Sequence, residues 1–594
     1  MSGIAEAILL VLLVVLPAAI DPAGVLAIEP IKASLLRASA ALLAAAWLAD
    51  RLTGAPRVDV GAHPVIRAGL ALVGFAAIST ALSIEPALSL FGSFDRGMGW
   101  LNLAAGAVLL VVTADLLSDA RRRERAIGAL LLGAIVPCGY MLVQSVGLDP
   151  INWGTRGTPG STLGSPTFLG GYLVMLAPFA AYRVVAGARS ALHGGPSLAY
   201  AGWLALLLVM CVVVLLTTIR APLLGLSAGS ITFAALARGR RGIGRKELAS
   251  AAAVLVAAGA LAVATGGITG LRGFERFLSI GGAVDSSSQR LTVWQESVAA
   301  LLGDPARLVF GYGDETQAVV FEHREAIVRR TPVELWDRAH DLALDSWLTH
   351  GLVGLAALVA VIWFALREAW FARASGSLVA SAVFAALLGH VAEVSFAFHS
   401  VVTGALFWVL LGMAASLRPR WLRKPIGQSV RLAGAAVVAA LLAGPLLMAP
   451  AMADFAYGMA RRSNFEVGAQ LEEQAAAWVP WVEELPRMAG LDWLQVANRR
   501  GDQQAAARAE QDLREAAERA PLAPEPQVRL ARLYLGRGEL DAAEAACAPA
   551  IANGPYRATV WDACAEVSTR RGLADEAAER KGRADAVRNA DLPV

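Results

Sequence analysis

The residues best suited to chemistry lie in the stretch DRAHDLALD, residues 337–345. His340 supplies an imidazole that titrates near neutral pH and can accept a proton from a hydroxyl group. Asp337 precedes it by three residues, and Asp341 and Asp345 follow at one-turn spacing, so a neighbouring carboxylate can fix its tautomer. Asp337 also suits the N-cap of the apolar helix that starts here. In LLTTIRAPLLGL, Arg220 occupies a very short turn between two apolar runs. A charge this close to hydrocarbon is costly unless it is paired, snorkelled or facing a cavity. In DSSSQRLTVWQESVAAL, Ser286 to Ser288 read as an N-cap, which places Arg290 in the first turn of the following helix. A cation is unfavourable there for helix stability, but with the free N–H groups of that turn it can hold a phosphate. Each arginine also has a plainer account as a surface or snorkelling side chain.

Absences narrow the chemistry. The chain has no Walker-type phosphate loop, no HExxH, no CxxC, and no DxD in its expected outer loops. This argues against a metal-dependent transferase and leaves charge neutralisation to arginines, with no cofactor called for. Such a site suits a substrate already activated by a leaving diphosphate.

These residues need a scaffold, and the composition indicates which kind. The 594-residue chain is 56% hydrophobic and 17% charged, which fits an all-α polytopic membrane protein. A span needs about 20 apolar residues, and by that criterion there are about thirteen candidate runs. They lie near 4–20, 36–49, 65–82, 98–118, 126–146, 167–184, 198–217, 221–237, 248–267, 343–366, 376–397, 400–417 and 430–453. The N-terminal run reads as a retained first span, since it lacks a basic leader and a small-residue cleavage site. Basic clusters such as DARRRER, RGRRGIGRK and RPRWLRKP occupy alternate loops, roughly fourfold richer in Lys and Arg than the others. The positive-inside rule puts the rich set and the N-terminus in the cytoplasm. The other set, with Arg96, Arg156, Arg220 and the long loop 268–341, then faces outward, as does the C-terminus. Net charge is only +3, so nucleic acid is not an expected partner. Within the eleventh run, His390 and Glu393 share a helical face, as either a functional pair or a structural hydrogen bond.

The region 454–594 is polar and Ala-rich. Its Arg-Gly pairs at Arg537 and Arg571 lie 34 residues apart, the period of a tetratricopeptide helix pair. Such repeats would dock a protein partner or glycan rather than carry chemistry. Cys547 and Cys564 can pair if this region is extracytoplasmic, although spacing alone does not place their Cα atoms.

Taken together, TTIRAPLLGL, QRLTVW in the outer loop and RAHDLALD before the returning span resemble the O-antigen ligase family, which includes polymerase-like members. The resemblance covers roughly 90–417, with GSFDRG (92–97) and GTPGSTLGSPTFLGGYL (157–173) in support. It implies a membrane glycosyltransferase in the bacterial inner membrane, with a domain at 1–453 followed by the repeats. The donor would be an undecaprenyl-diphosphate-linked glycan, and the acceptor a lipid A core, a protein or another glycan. Arg220 and Arg290 match arginines thought to bind the diphosphate, and His340 matches the histidine thought to activate the acceptor hydroxyl. Arg156, Arg338 and Arg96 are further candidates for substrate contact. Two departures bear on glycan specificity: Ile219 replaces a usual serine, and Ser165 and Thr167 stand where relatives often carry asparagine. A polymerase extending a lipid-linked glycan is the near alternative, and a lipid-linked glycan transporter the distant one.

Overall fold

The computed structural model describes residues 2–52, 59–151, 153, 159–194, 198–237, 280–330, 336–420 and 430–588. Among these residues the chain forms helices and short 3-10 turns and no strand, in agreement with the all-α expectation. Apolar segments beside lipid can satisfy their backbone only within the helix itself.

The first group of helices is α1 (Ser2–Ala18), α2 (Glu29–Leu52), α3 (Pro64–Ala81), the short α4 (Pro86–Phe91), α5 (Trp100–Leu116), α6 (Ala120–Gly133) and α7 (Ile135–Ser145). Next come α8 (Pro166–Gly194), α9 (Leu198–Leu216) and α10 (Arg220–Ala237). By length and composition, eight helices among the described residues can cross a membrane, with α6 and α7 acting as one such segment. Four shorter apolar helices accompany them, including α1 and α5. The expected run at 248–267 lies outside the described residues.

The described chain resumes with α11 (Ile280–Leu302), followed by three single-turn pieces, α12 (Pro305–Phe310), α13 (Gln317–Glu322) and α14 (Glu325–Arg330), in the loop expected to face outward. α11 begins six residues before the serines expected to cap it, so Ser286 to Ser288 lie inside the helix and Arg290 is well past the first turn. Val293, Ala300 and Leu301 of α11 are buried against Phe321, Ile327, Ala339 and Leu348. The anion-binding turn expected at Arg290 is therefore absent, and its guanidinium acts without free helix-end N–H groups.

Helix α15 (Leu342–Arg373) returns toward the bilayer, followed by α16 (Leu378–Val394) and α17 (Val401–Ser416). Asp341, not Asp337, is the N-cap of α15, accepting from the Leu344 N–H at 2.8 Å. Gly351 breaks α15 with φ 67° and ψ −173°. There the backbone meets the outer loop: the Tyr312 and Gly313 N–H groups donate to the Leu348 and Thr349 carbonyls at 2.7 and 3.0 Å. A Cβ on Gly351 would collide with the Val309 carbonyl, and one on Gly311 with the Thr349 carbonyl.

The long α18 (Val430–Ala460) leads into the polar tail, and its Asp454 carboxylate accepts from the N–H groups of Val25, Leu26 and Ala27 at 2.9–3.0 Å. The tail comprises α19 (Phe465–Trp478), α20 (Glu484–Arg500), α21 (Gln503–Arg519), α22 (Pro524–Arg537), α23 (Leu540–Asn553), α24 (Ala558–Arg570) and α25 (Ala574–Arg588). Gly538 and Gly572, 34 residues apart, both adopt φ 77° at helix ends, so the sequence period is also a backbone period. Cys547 and Cys564 form a disulfide between α23 and α24, with Cα atoms 5.6 Å apart. The tail packs onto the first region through Arg557, which grips Glu322 bidentately, and through Phe91 stacked on Trp481 at 3.8 Å.

The Gly351 break fixes how the loop sits on α15. Gly351→Ala should cost about 1–3 kcal/mol from the backbone conformation alone. It would appear as a lower Tm and a reduced folded yield in detergent.

Candidate functional site

A cavity of about 600 Å³ opens among the ends of these helices. Its walls carry Arg96, Arg290 and His340 together with Glu29 and Asp95, and Phe168, Phe396 and Phe398 supply apolar surface. Two segments far apart in sequence thus bring a histidine and two arginines to one space. Ser165 and Thr167 also line it, as does Ile219, so each of the noted departures from the family pattern faces the cavity.

His340 sits in the non-helical turn ahead of α15. Its ring lies edge-on between Trp336 and Phe398, with centroids 4.7 and 4.8 Å away. Nδ1 is 3.1 Å from the carbonyl oxygen of Arg338, which fixes this nitrogen as the N–H donor. Nε2 is then the acceptor, the form a general base requires. A backbone carbonyl therefore sets the tautomer, in place of the expected carboxylate. Burial pushes the imidazole pKa down to about 4; Arg290 and Arg96 add to this, against the Arg338 carbonyl and Asp337. The ring is neutral at physiological pH.

The arginines divide by what holds them. Arg290 on α11 is half-buried on the cavity wall, and among the described residues no carboxylate pairs with it. Burial alone lowers its pKa. Arg96 also lines the cavity but is engaged by Asp337, with Nη2 and Nε 2.8 and 2.9 Å from Oδ2. Burial would raise the Asp337 pKa, but Arg96 and Arg338 hold it below its usual range. This ion pair is the role the structure gives Asp337.

Arg338 points away from the cavity into a buried pair with Glu315, which also accepts from Ser93 Oγ at 2.8 Å. Burial opposes the charge on Arg338, yet Glu315, Asp337 and Asp345 outweigh it and raise its pKa. It is not among the cavity-lining residues, and its guanidinium lies 5.9 Å from the ring of the lining residue Phe398. Arg220 is the exposed first residue of α10, beside the lining residue Ile219. Arg156 lies outside the described residues.

His390 and Glu393 sit behind the cavity, their Nδ1 and Oε2 atoms 3.1 Å apart, and His390 Nε2 is 2.9 Å from His399 Nε2. That contact anchors the 395–400 loop, which carries Phe396 and Phe398 to the cavity wall.

Backbone strain gathers at the same place. Five non-glycine residues among those described have positive φ: Ala27, Ser161, Thr218, Glu315 and His340. His340 lines the cavity, Ala27 and Thr218 adjoin lining residues, Ser161 is two residues from Leu163, and Glu315 holds Arg338. Such conformations persist where surrounding contacts enforce them, and they collect at functional sites. Sequence reading missed this signal, together with Glu29, Asp95 and the phenylalanine walls. No local pattern marks these side chains, because they come from four separate chain segments.

The fold and the site define a polytopic all-α membrane protein with a histidine- and arginine-lined cavity. Residues 205–359, which contain Arg220, Arg290 and His340, match a family model described as O-antigen ligase. The chain is thus similar over that stretch to membrane glycosyltransferase-type ligases. No curated protein matches it.

A neutral, cavity-facing imidazole can be tested by its ionisation. At about pH 5.5 an ordinary histidine is mostly protonated and reacts slowly with diethyl pyrocarbonate. His340 should react there nearly as fast as at neutral pH, read by mass analysis of its peptide. A several-fold fall would return its pKa to the ordinary range.

Proposed function

We propose that the protein transfers a glycan from an undecaprenyl-diphosphate donor to an acceptor hydroxyl at the outer face of the cytoplasmic membrane, with inversion and without a metal. The observation that carries this reading is the pairing of a neutral His340, its Nε2 unprotonated, with Arg290, which no carboxylate among the described residues engages, on the walls of one cavity. The match over residues 205–359 supports the reaction class.

In this mechanism Nε2 of His340 takes the proton of the acceptor hydroxyl as its oxygen attacks the anomeric carbon. The bond from that carbon to the diphosphate oxygen breaks, and the electron pair leaves with the diphosphate. Arg290, joined by Arg220 at the rim, stabilises the charge growing on that leaving group, a contribution that is large where water is excluded. Arg96 remains tied to Asp337 and contacts the glycan or its phosphate from the cavity wall. The phenylalanines offer flat apolar faces to sugar rings, and Ser165 and Thr167 offer hydroxyls for specificity.

The outward orientation has its own support. The basic loops argue for it, and the disulfide in the tail fits an oxidising compartment. The tail grips the outer loop through Arg557 and Glu322, so both lie on one side of the membrane.

His340→Ala should lower turnover on the order of 10²–10⁴-fold, and Arg290→Ala on the order of 10²–10³-fold. The measurement is a reconstituted assay with lipid-linked donor, followed by mass analysis of the products. One glycan joined to a lipid A core or protein is the ligase outcome. A lengthening chain on the diphosphate lipid would make it a polymerase. Full activity in His340→Ala removes the base assignment.

A further inference from the structure

The backbone of Ala339, directly before His340, is held on both sides. Its N–H donates to Asp345 Oδ1 at 2.7 Å, and its carbonyl accepts from Trp294 Nε1 at 2.8 Å. Ala339 is fully buried, so water does not compete for either bond. Trp294 lies one helical turn beyond Arg290 on α11, and Asp345 lies in the first turn of α15. The backbone of one residue therefore ties the helix carrying Arg290 to the helix that follows the histidine. His340 itself has φ 58°, a conformation that an imidazole-bearing residue keeps only under constraint.

We propose that Trp294 and Asp345 are positioning residues for the transfer reaction, whose joint clamp on Ala339 sets the orientation of His340 and its separation from Arg290. The inference rests on the reading of His340 as the base. Neither side chain lines the cavity, so neither touches substrate; each acts through the backbone of Ala339. Without the clamp, the turn relaxes toward ordinary backbone angles and Nδ1 leaves the Arg338 carbonyl. The imidazole then gains water. The charged groups facing it are Arg290 on α11, Arg96 from the segment before α5, and Asp337 in its own turn. A hydrated ring titrates closer to 6.5 than to about 4, so activity fails at higher pH on the acid side.

The test uses the full chain in proteoliposomes with a lipid-diphosphate glycan donor, comparing Trp294→Phe, Asp345→Ala and Asp345→Asn. Trp294→Phe keeps an aromatic ring but loses the donor. Asp345→Asn keeps an oxygen that can accept the Ala339 N–H, whereas Asp345→Ala leaves that N–H buried without an acceptor. The expected result is a fall in kcat of about 10- to 100-fold for Trp294→Phe and Asp345→Ala, with donor KM little changed. Their acid limb should move up from about pH 4 toward 6.5, and Asp345→Asn should restore both values. Wild-type kcat in Trp294→Phe and Asp345→Ala overturns the proposal. So does a loss of activity without movement of the acid limb, or an Asp345→Asn as impaired as Asp345→Ala. His340→Ala, assayed alongside, separates the two readings. If it is fully active, the base assignment fails. If it is inactive while Trp294→Phe is normal, only the clamp fails.

Discussion

Charged groups at a hydrocarbon boundary must find partners, and the Arg338–Glu315 pair is where this protein meets that demand most fully. Both side chains are almost completely removed from solvent. Losing one partner would leave a buried, uncompensated charge, which is far more damaging than the pair is stabilising. With Arg338 committed inward to Glu315 and Asp337 committed to Arg96, the chain can present His340 to the cavity only by a sharp left-handed turn. The Arg338 carbonyl, held in that turn, then selects the imidazole tautomer.

The same logic sorts the cations around the site. Arg96 and Arg338 are neutralised by protein carboxylates, so their fields are largely spent within the structure. Arg290 is not paired in this way among the described residues, and it faces the cavity that His340 shares. A cation held half-buried without a protein anion is suited to an anion that arrives with a substrate. Its charge also helps keep His340 neutral.

The segment from α11 to α15 is built to hold this geometry. α11 packs its apolar face on the short turns that follow and on α15, and the Gly311–Gly351 contact lets two backbones approach directly. The tail adds a brace from outside through Arg557 and Glu322, while Asp454 of α18 caps three N–H groups of the 25–27 turn beside the cavity. A site at the rim of a helix bundle is thereby enclosed by segments from the N-terminal, central and C-terminal parts of the chain.

Apolar runs, basic loop clusters and the chemical types of His340, Arg220 and Arg290 were determined by the sequence alone. Hydrophobicity over about 20 residues and helical periodicity are local properties that no distant contact reverses. The pairings were decided only by the tertiary structure. Asp341 rather than Asp337 caps α15 because Asp337 is drawn to Arg96, 241 residues away. Ser286 to Ser288 lie inside α11, which starts six residues before them. Arg338, a candidate substrate contact by its position in the sequence, is paired with Glu315 by the fold. Ion pairs and caps are settled by which groups come within about 4 Å, and packing of distant segments, not spacing along the chain, decides that.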